Sequence, residues 1–425
     1  MSLAIMFILL AVLLVCGAPV AVALAGSSLV YLFIAGMPPV SMLHNMINGV
    51  NSFPLLAVPF FIMAGHLMNT GGITVRIFNF ARAIVGWMPG GLGHVNVGAS
   101  VIFAGMSGAA VADAGGLGNV EIKAMRDAGY DTPFAVGITA ASSTIGPIIP
   151  PSLPLVLFGV IAQVSIGQLF LAGIIPGLMM AVALMVMVAW YSRRRNYPRD
   201  QAFAWGVLGR ASKEAFLPLM TPVIIIGGIS TGLFTPTEAA VGAVAYSLVL
   251  GLAVYRTLTM RHLLRVTMDT VETTAAIMLI VGAAAVFAWI LTANQSAQHL
   301  ANFVLGFTDN KNLIIVLIML LVLVVGCFME TIAAITILVP VLLPVAQTVG
   351  IDPVHLGIIV ILNLMLGLLT PPVGMVLYVL SRVSGVRFEE CVKATAPFLI
   401  PLLIVLFLLA FIPQLSTLLP TLLYR

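Results

Sequence analysis

The chain has 425 residues, of which 61% are hydrophobic and only 8% are charged, with a formal net charge of +4. Its mean hydropathy is +1.18. A soluble chain has roughly a quarter of its residues charged, so this composition excludes a soluble globular protein and indicates a multi-pass protein of the lipid bilayer. The net charge does not point to nucleic acid, because the cations lie in the connections between apolar segments.

Apolar runs of membrane length recur along the chain. About 20 such residues cross a bilayer core, and a chain crosses lipid only as helix or closed barrel, so we predict an all-α polytopic membrane protein. The first run lacks a basic start and continues past residue 30, which favours a retained segment over a cleaved signal peptide. The runs lie near residues 3–35, 54–70, 133–160, 168–191, 215–235, 238–255, 273–293, 355–380 and 395–419.

The two halves of the chain repeat one pattern of Gly, Asp and Pro. Adding 221 to a residue number in the first half gives its counterpart in the second. We therefore predict two related repeats, 1–200 and 201–425, that together form one membrane domain. The matched residues are Gly129 and Gly350, Asp131 and Asp352, Gly146 and Gly367, Pro150-Pro151 and Pro371-Pro372, and Pro176 and Pro397.

Positive charge predicts how the repeats are oriented. The connection 192–214 carries six Lys and Arg residues, so it should be cytoplasmic by the positive-inside rule. Where one half is basic, the equivalent stretch of the other half is not: Arg382, Arg387 and Lys393 correspond to the uncharged stretch 161–172. A basic stretch in one half whose equivalent in the other half is uncharged predicts an inverted-topology repeat.

Each repeat contains a predicted re-entrant helical hairpin. The first covers about 90–126, with arms near 92–105 and 115–122 and a tip at Ser107 to Asp113. At 1.5 Å per residue its first arm is about 21 Å long, which is shorter than a bilayer core of roughly 30 Å. The equivalent hairpin covers about 312–348 and should enter from the other face.

Each hairpin is followed by a helix that proline interrupts. The helix predicted at 133–160 contains "GPIIPPS", and the helix at 355–380 contains "LGLLTPPVG". Proline inside a helix costs about 3 kcal/mol, and non-helical backbone at membrane depth is tolerated where it is buried in protein or lines a polar cavity. Two tips and two breaks that meet at the bilayer midplane would offer free carbonyls, N–H groups and helix dipole ends to a small ion or an anion.

Polar residues concentrate at these four places. Asp113 is the strongest candidate, because a carboxylate at the bilayer centre costs at least about 2.5–3.5 kcal/mol, although it could instead cap the returning helix. The same alternatives apply to Glu330, and each hydroxyl could simply bond within its own helix. We expect the charged run of Glu121, Lys123, Arg126 and Asp127 to lie at the cytoplasmic rim. The candidate sodium- and substrate-binding residues are Ser107, Gly108, Asp113, Ser142, Ser143, Thr144, Gly146, Pro147, Glu330, Thr331, Asn363, Gly367 and Thr370.

Several motifs together resemble those of a known family. "SGAAVADAGG", "GPIIPPS" and "LGLLTPPVG", with the loop "GGISTGLFTPTEAA", resemble the large, DctM-like membrane subunit of tripartite ATP-independent periplasmic (TRAP) transporters. The likeness covers essentially the whole chain. It implies an elevator-type secondary transporter of the bacterial inner membrane, with sodium sites at Ser107–Asp113, Ser142–Pro147, Glu330–Thr331 and Asn363–Thr370.

The resemblance also implies a set of partners. Substrate, an organic acid, should be delivered by a periplasmic binding protein, Na+ should be the coupling ion, and a small four-helix membrane subunit should be a separate chain. The sequence contains no paired catalytic motif, so we do not expect an enzyme. Two mirrored halves around a closed site suit a carrier with alternating access better than a channel with a continuous pore. The main alternative is a stand-alone sodium-coupled dicarboxylate carrier with a similar inverted repeat.

Overall fold

The structure, a computed structural model, describes residues 2–200, 202–295, 306, 308 and 310–423, without the side chains of Ser2, Met106 and Ser107. Within this part the protein is helical and has no strand. The helices are α1 (Ser2–Val15), α2 (Val20–Ile34), α3 (Val40–Val50), α4 (Ala57–Thr70), α5 (Ile73–Val85), α6 (Gly91–Ser107), α7 (Ala110–Asp127), α8 (Thr132–Ser143), α9 (Leu153–Ala162), α10 (Ile166–Arg195), α11 (Trp205–Ser230), α12 (Pro236–Val249), α13 (Met260–Ala293), α14 (Lys311–Phe328), α15 (Thr331–Thr348), α16 (Pro353–Gly367), α17 (Met375–Ser384), α18 (Phe388–Phe411) and α19 (Gln414–Leu423).

Eight helices in the described residues are long and apolar enough to cross a bilayer, which confirms an all-α multi-pass membrane protein. The prediction of one uninterrupted segment at 3–35 is wrong. α1 ends at Val15, where Gly17 adopts a left-handed φ of 81°, and α2 begins directly after Pro19. Glycine readily adopts that conformation, and proline suits the start of a helix better than its interior.

The two hairpins have tighter tips and longer arms than predicted. α6 and α7 are joined only at Gly108 and Ala109, and α14 and α15 only at Met329 and Glu330. Gly108 has a φ of +60°, which favours glycine. α6 has 17 residues, or about 26 Å of helix. That the hairpins enter from opposite faces stays a prediction.

The prolines interrupt both helices where expected. α8 ends at Ser143 and α9 starts at Leu153, and likewise α16 ends at Gly367 and α17 starts at Met375. The Pro150-Pro151 and Pro371-Pro372 bonds are both cis. After the first break, the Ser152 hydroxyl donates to the Pro147 carbonyl at 2.5 Å and accepts the Leu155 N–H at 3.2 Å. Non-helical backbone therefore separates the two halves of each broken helix.

The offset of 221 that relates the sequence halves also relates the helix bounds. α7 at 110–127 and α15 at 331–348 correspond at both ends. The two halves of the chain also interlock: α7 packs against α17, and α15 packs against α9. Each returning hairpin arm thus lies on the helix that follows the break of the other half.

The segment after α10 is held to two helices by polar contacts. The Asp131 carboxylate, at the start of α8, accepts from the Arg195 guanidinium and from the Tyr197 hydroxyl, each at 2.8 Å. Burial raises the pKa of Tyr197 to about 12, so this hydroxyl keeps its proton and its donor role at neutral pH. Arg82 on α5 forms an ion pair with Asp200. These contacts fix the end of α10 beside the first hairpin.

Candidate functional site

Each hairpin tip lies directly against the proline break of its own half. A Cβ at Gly108 would come within 2.7 Å of the Pro151 carbonyl oxygen, so only glycine permits this approach. At the second tip the Val373 N–H donates to the Cys327 carbonyl at 3.2 Å. The structure therefore brings together, in each half, the tip and break that the sequence predicted.

A glycine pair allows the second hairpin to approach its broken helix closely. A Cβ at Gly367, the last residue of α16, would overlap the backbone of Gly326 on α14. The corresponding positions in the first half are Gly105 and Gly146. Gly367 is thus a packing residue at the end of the interrupted helix, and this position determines how closely α14 and α16 approach.

Asp113 is a buried carboxylate on α7. The residue is 1% exposed, neither oxygen has a well-formed hydrogen bond, and the Ser100 hydroxyl on α6 lies beside it. The capping alternative is wrong here, because the N-cap of α7 is Ala109 and Asp113 is an ordinary helical residue that donates its N–H to the Ala109 carbonyl. A buried charge without partners is costly, so these two oxygens suit a bound cation.

Asn363 presents a second buried oxygen of this kind. The residue is 1% exposed and lies one turn before the end of α16. Its amide nitrogen donates to the Met319 carbonyl on α14 at 2.5 Å. This bond orients the side chain, and the amide oxygen is left without a donor. Asn363 thus combines an anchored nitrogen with a free acceptor.

The hydroxyl groups at the breaks bond within their own helices. The Ser143, Thr144 and Thr370 hydroxyls donate to carbonyls three or four residues earlier, at 2.9, 2.6 and 2.7 Å. Each hydroxyl has one proton and two lone pairs. The internal-bond alternative is therefore correct for these three residues and remains compatible with a ligand role, since the lone pairs can still accept a cation.

Glu330 is a helix cap. One carboxylate oxygen accepts the N–H groups of Ile332 and Ala333 at 2.9 and 3.3 Å, at the start of α15. Thr331, the first residue of that helix, is 4% exposed. Under the offset of 221, Glu330 corresponds to Ala109, so the two tips place their acidic residues differently: one caps, and the other lies unpaired inside the helix.

The first hairpin carries two polar residues that the sequence analysis missed. Asn96 on α6 donates to the Thr139 hydroxyl at 2.7 Å and accepts from the Ser142 hydroxyl at 2.6 Å. Ser100, one turn later, lies beside Asp113. Their spacing of four on α6, which places both on one helix face, was the available signal. Asn96 thus contacts the break residue Ser142, and Ser100 lies near the carboxylate of Asp113.

The predictions for Ser107 and Glu121 also concern the first hairpin. The side chain of Ser107 lies outside the described residues, although its backbone ends α6. Glu121 is buried, at 1% exposed, whereas Lys123, Arg126 and Asp127 on the same arm are exposed; the position of this charged run at the cytoplasmic rim stays a prediction. Its side chain points into the packed face of α7, a direction that charge in the sequence could not show.

Comparisons with known proteins agree with this architecture. The profile of the family "Tripartite ATP-independent periplasmic transporter, DctM component" matches residues 7–415. The chain is 51% identical over 411 residues to the sialic acid TRAP transporter large permease protein SiaM of Vibrio cholerae, with 96% of each chain covered. It is 44% identical over 380 residues to the sialic acid TRAP transporter permease protein SiaT of Haemophilus influenzae, covering 89% of this chain and 62% of that one.

A solved structure shows the same fold at low sequence identity. The crystal structure of the Alcanivorax borkumensis YdaH transporter superposes with a TM-score of 0.65 at 16% identity, covering 87% of this chain and 86% of that one. The family match over nearly the whole chain is the decisive finding. This protein belongs to the DctM family of tripartite ATP-independent periplasmic transporters and is a multi-pass transport component of the bacterial inner membrane, not an enzyme.

Proposed function

We propose that this chain is the sodium-coupled large permease subunit of a TRAP transporter that imports an organic acid. The observation that carries the proposal is the pair of buried acceptors that lack donors, Asp113 on the returning arm of the first hairpin and Asn363 one turn before the second break. Sodium is a hard cation that suits carboxylate, amide, hydroxyl and carbonyl oxygens, and breaks at membrane depth are where such ions bind in repeat transporters.

Each half supplies a proposed ligand set for one sodium ion. In the first half, Asp113 would act with Ser142, Ser143 and Thr144 and with the backbone near Gly146. In the second half, Asn363 would act with Thr331 and Thr370. Each set has a carboxylate: Asp113 in the first, and Glu330, next to Thr331, in the second. Glu330 caps α15 through one oxygen, and a capping carboxylate keeps its negative charge.

Sialic acid is the substrate that we propose. The relatives that share 51% and 44% of aligned residues with this chain are both named as sialic acid transporters. Relatives named for 2,3-diketo-L-gulonate and for C4-dicarboxylates are 40% and 39% identical. We propose delivery by a periplasmic binding protein and assembly with a small four-helix membrane subunit, in keeping with a tripartite family.

The test is uptake of radiolabelled sialic acid by proteoliposomes that contain this chain and its small subunit, with the binding protein added outside. We expect uptake that requires an inward sodium gradient and stops when any one protein is omitted. Uptake by this chain alone would support the stand-alone carrier. Uptake driven equally well by a proton gradient without sodium would contradict sodium coupling. C4-dicarboxylates in place of sialic acid test the substrate separately.

A further inference from the structure

Glu121 is a buried acidic residue on α7 that the proposed sodium sites do not use. It lies eight residues after Asp113, and its Oε1 atom is buried without a hydrogen-bond partner. The residue is 1% exposed. The described part of the chain contains three ion pairs, and none involves Glu121. The carboxylate is thus enclosed without a counter-charge.

The helices packed against α7 do not supply a cation to Glu121. These helices are α6, α8 and α17. α6 contributes one titratable residue, His94, whose ring nitrogens are buried without partners. α8 contains none, and Asp131 precedes it. α17 carries Tyr378 and Arg382, and both are exposed.

On α7 itself the charged residues are Asp113, Lys123, Arg126 and Asp127. Lys123 and Asp127 are exposed, and the Arg126 guanidinium donates to the Ser384 carbonyl at 3.2 Å. Asp113, the other buried acidic residue of this helix, has a charge of the same sign. An ionised Glu121 would therefore be desolvated without a counter-charge.

The surroundings fit a proton better than a metal ion. Sodium needs several oxygen ligands, whereas the neighbours of Glu121 on the buried face of its own helix, Leu117, Gly118 and Met125, carry no side-chain oxygen. A proton neutralises a carboxylate without any further ligand, and the neutral acid is far less costly to bury than the ion.

We propose that Glu121 is a proton-binding site, separate from the sodium ligands, and that it is protonated when α7 is packed against α6, α8 and α17. Deprotonation at higher pH then opposes this packing. The proposal does not depend on sodium coupling or on the substrate, since it concerns the folded chain alone.

The experiment compares purified full-length wild type with Glu121→Gln and with Glu389→Gln, an exposed residue that undergoes the same chemical change. Apparent unfolding temperatures are measured from about pH 5 to about pH 9 at one fixed sodium concentration, so that any titration of Asp113 is common to wild type and variant. A protonated Glu121 makes the folded state bind more protons than the unfolded chain. Wild-type stability should therefore fall as the pH rises.

Glu121→Gln should lack this component of the pH dependence, and Glu389→Gln should match wild type. Infrared spectra of wild type with isotope-labelled glutamate should show a protonated carboxyl band that shifts with the label, which separates Glu121 from Asp113. This band should be absent from Glu121→Gln. Equal pH dependence in wild type and Glu121→Gln, or no labelled protonated band in wild type, would overturn the proposal. Glu330, a partly buried glutamate at the second tip, can contribute to the same band, so the loss of the band in Glu121→Gln is what assigns it to Glu121. Absence of any such band from wild type overturns the proposal even if the variant does not fold.

Discussion

Replacing Asn363 by leucine tests whether this residue binds sodium or only stabilises the fold. The side chain is fully enclosed, with one bond from its nitrogen to the Met319 carbonyl and a free oxygen. Leucine has a similar size and no polar atoms. The substitution therefore removes both the bond to Met319 and the acceptor without a donor, while it fills most of the same space.

The opposing contributions can be estimated from these contacts. Loss of the bond to Met319 costs about 1 kcal/mol, whereas an unsatisfied buried acceptor costs about 1–3 kcal/mol. In the absence of sodium, Asn363→Leu should therefore be as stable as wild type or about 1–2 kcal/mol more stable. Loss of one neutral ligand should weaken sodium binding by about 1–1.5 kcal/mol, which is about a five- to tenfold higher sodium concentration for half-maximal uptake.

The assay combines thermal unfolding in sodium-free buffer with sodium-dependent uptake in the three-component system. Thr274→Val on α13 is the control, because it also removes a buried hydroxyl without a partner but lies outside the proposed sites. It should change stability without changing the sodium curve. If Asn363→Leu were less stable than wild type without sodium and its sodium curve were unchanged, the residue would be structural and the second site would be refuted.

Three further predictions test the first site, the glycine contact and the orientation of the chain. Asp113→Asn removes the unpaired charge, so the protein should fold normally. The sodium concentration for half-maximal uptake should rise by more than about tenfold, and an unchanged value would argue against the site. Gly367→Ala would press a methyl group against the Gly326 backbone and should cost about 1–3 kcal/mol of stability, whereas Gly227→Ala, with open space around it, should cost nothing measurable by thermal unfolding. In a background without native cysteines, an impermeant reagent applied to intact cells should modify a cysteine at Gln163 and spare one at Arg199, and the reverse pattern would contradict the predicted topology.

Local chemistry in the sequence was enough to establish the class of the protein and the plan of the chain. Composition required a membrane protein, and the apolar runs required helices because lipid offers no partner to a free backbone. Proline removes a backbone donor wherever it occurs. The helix interruptions before Leu153 and Met375 could therefore be predicted without any tertiary information. The offset of 221 followed from residues with distinctive backbone roles, such as the Pro-Pro pairs.

The environment of each polar side chain was decided only by the tertiary structure. α7 mixes small, apolar and charged residues, and which of them face protein depends on the helices that pack against it, so the charged run at 121–127 did not reveal that Glu121 is buried. Asp113 is unpaired because the helix begins at Ala110 and places it past the cap. Asn96 meets Ser142 because α6 packs against α8. These properties depend on which helices become neighbours, and contacts between residues far apart in the chain determine that.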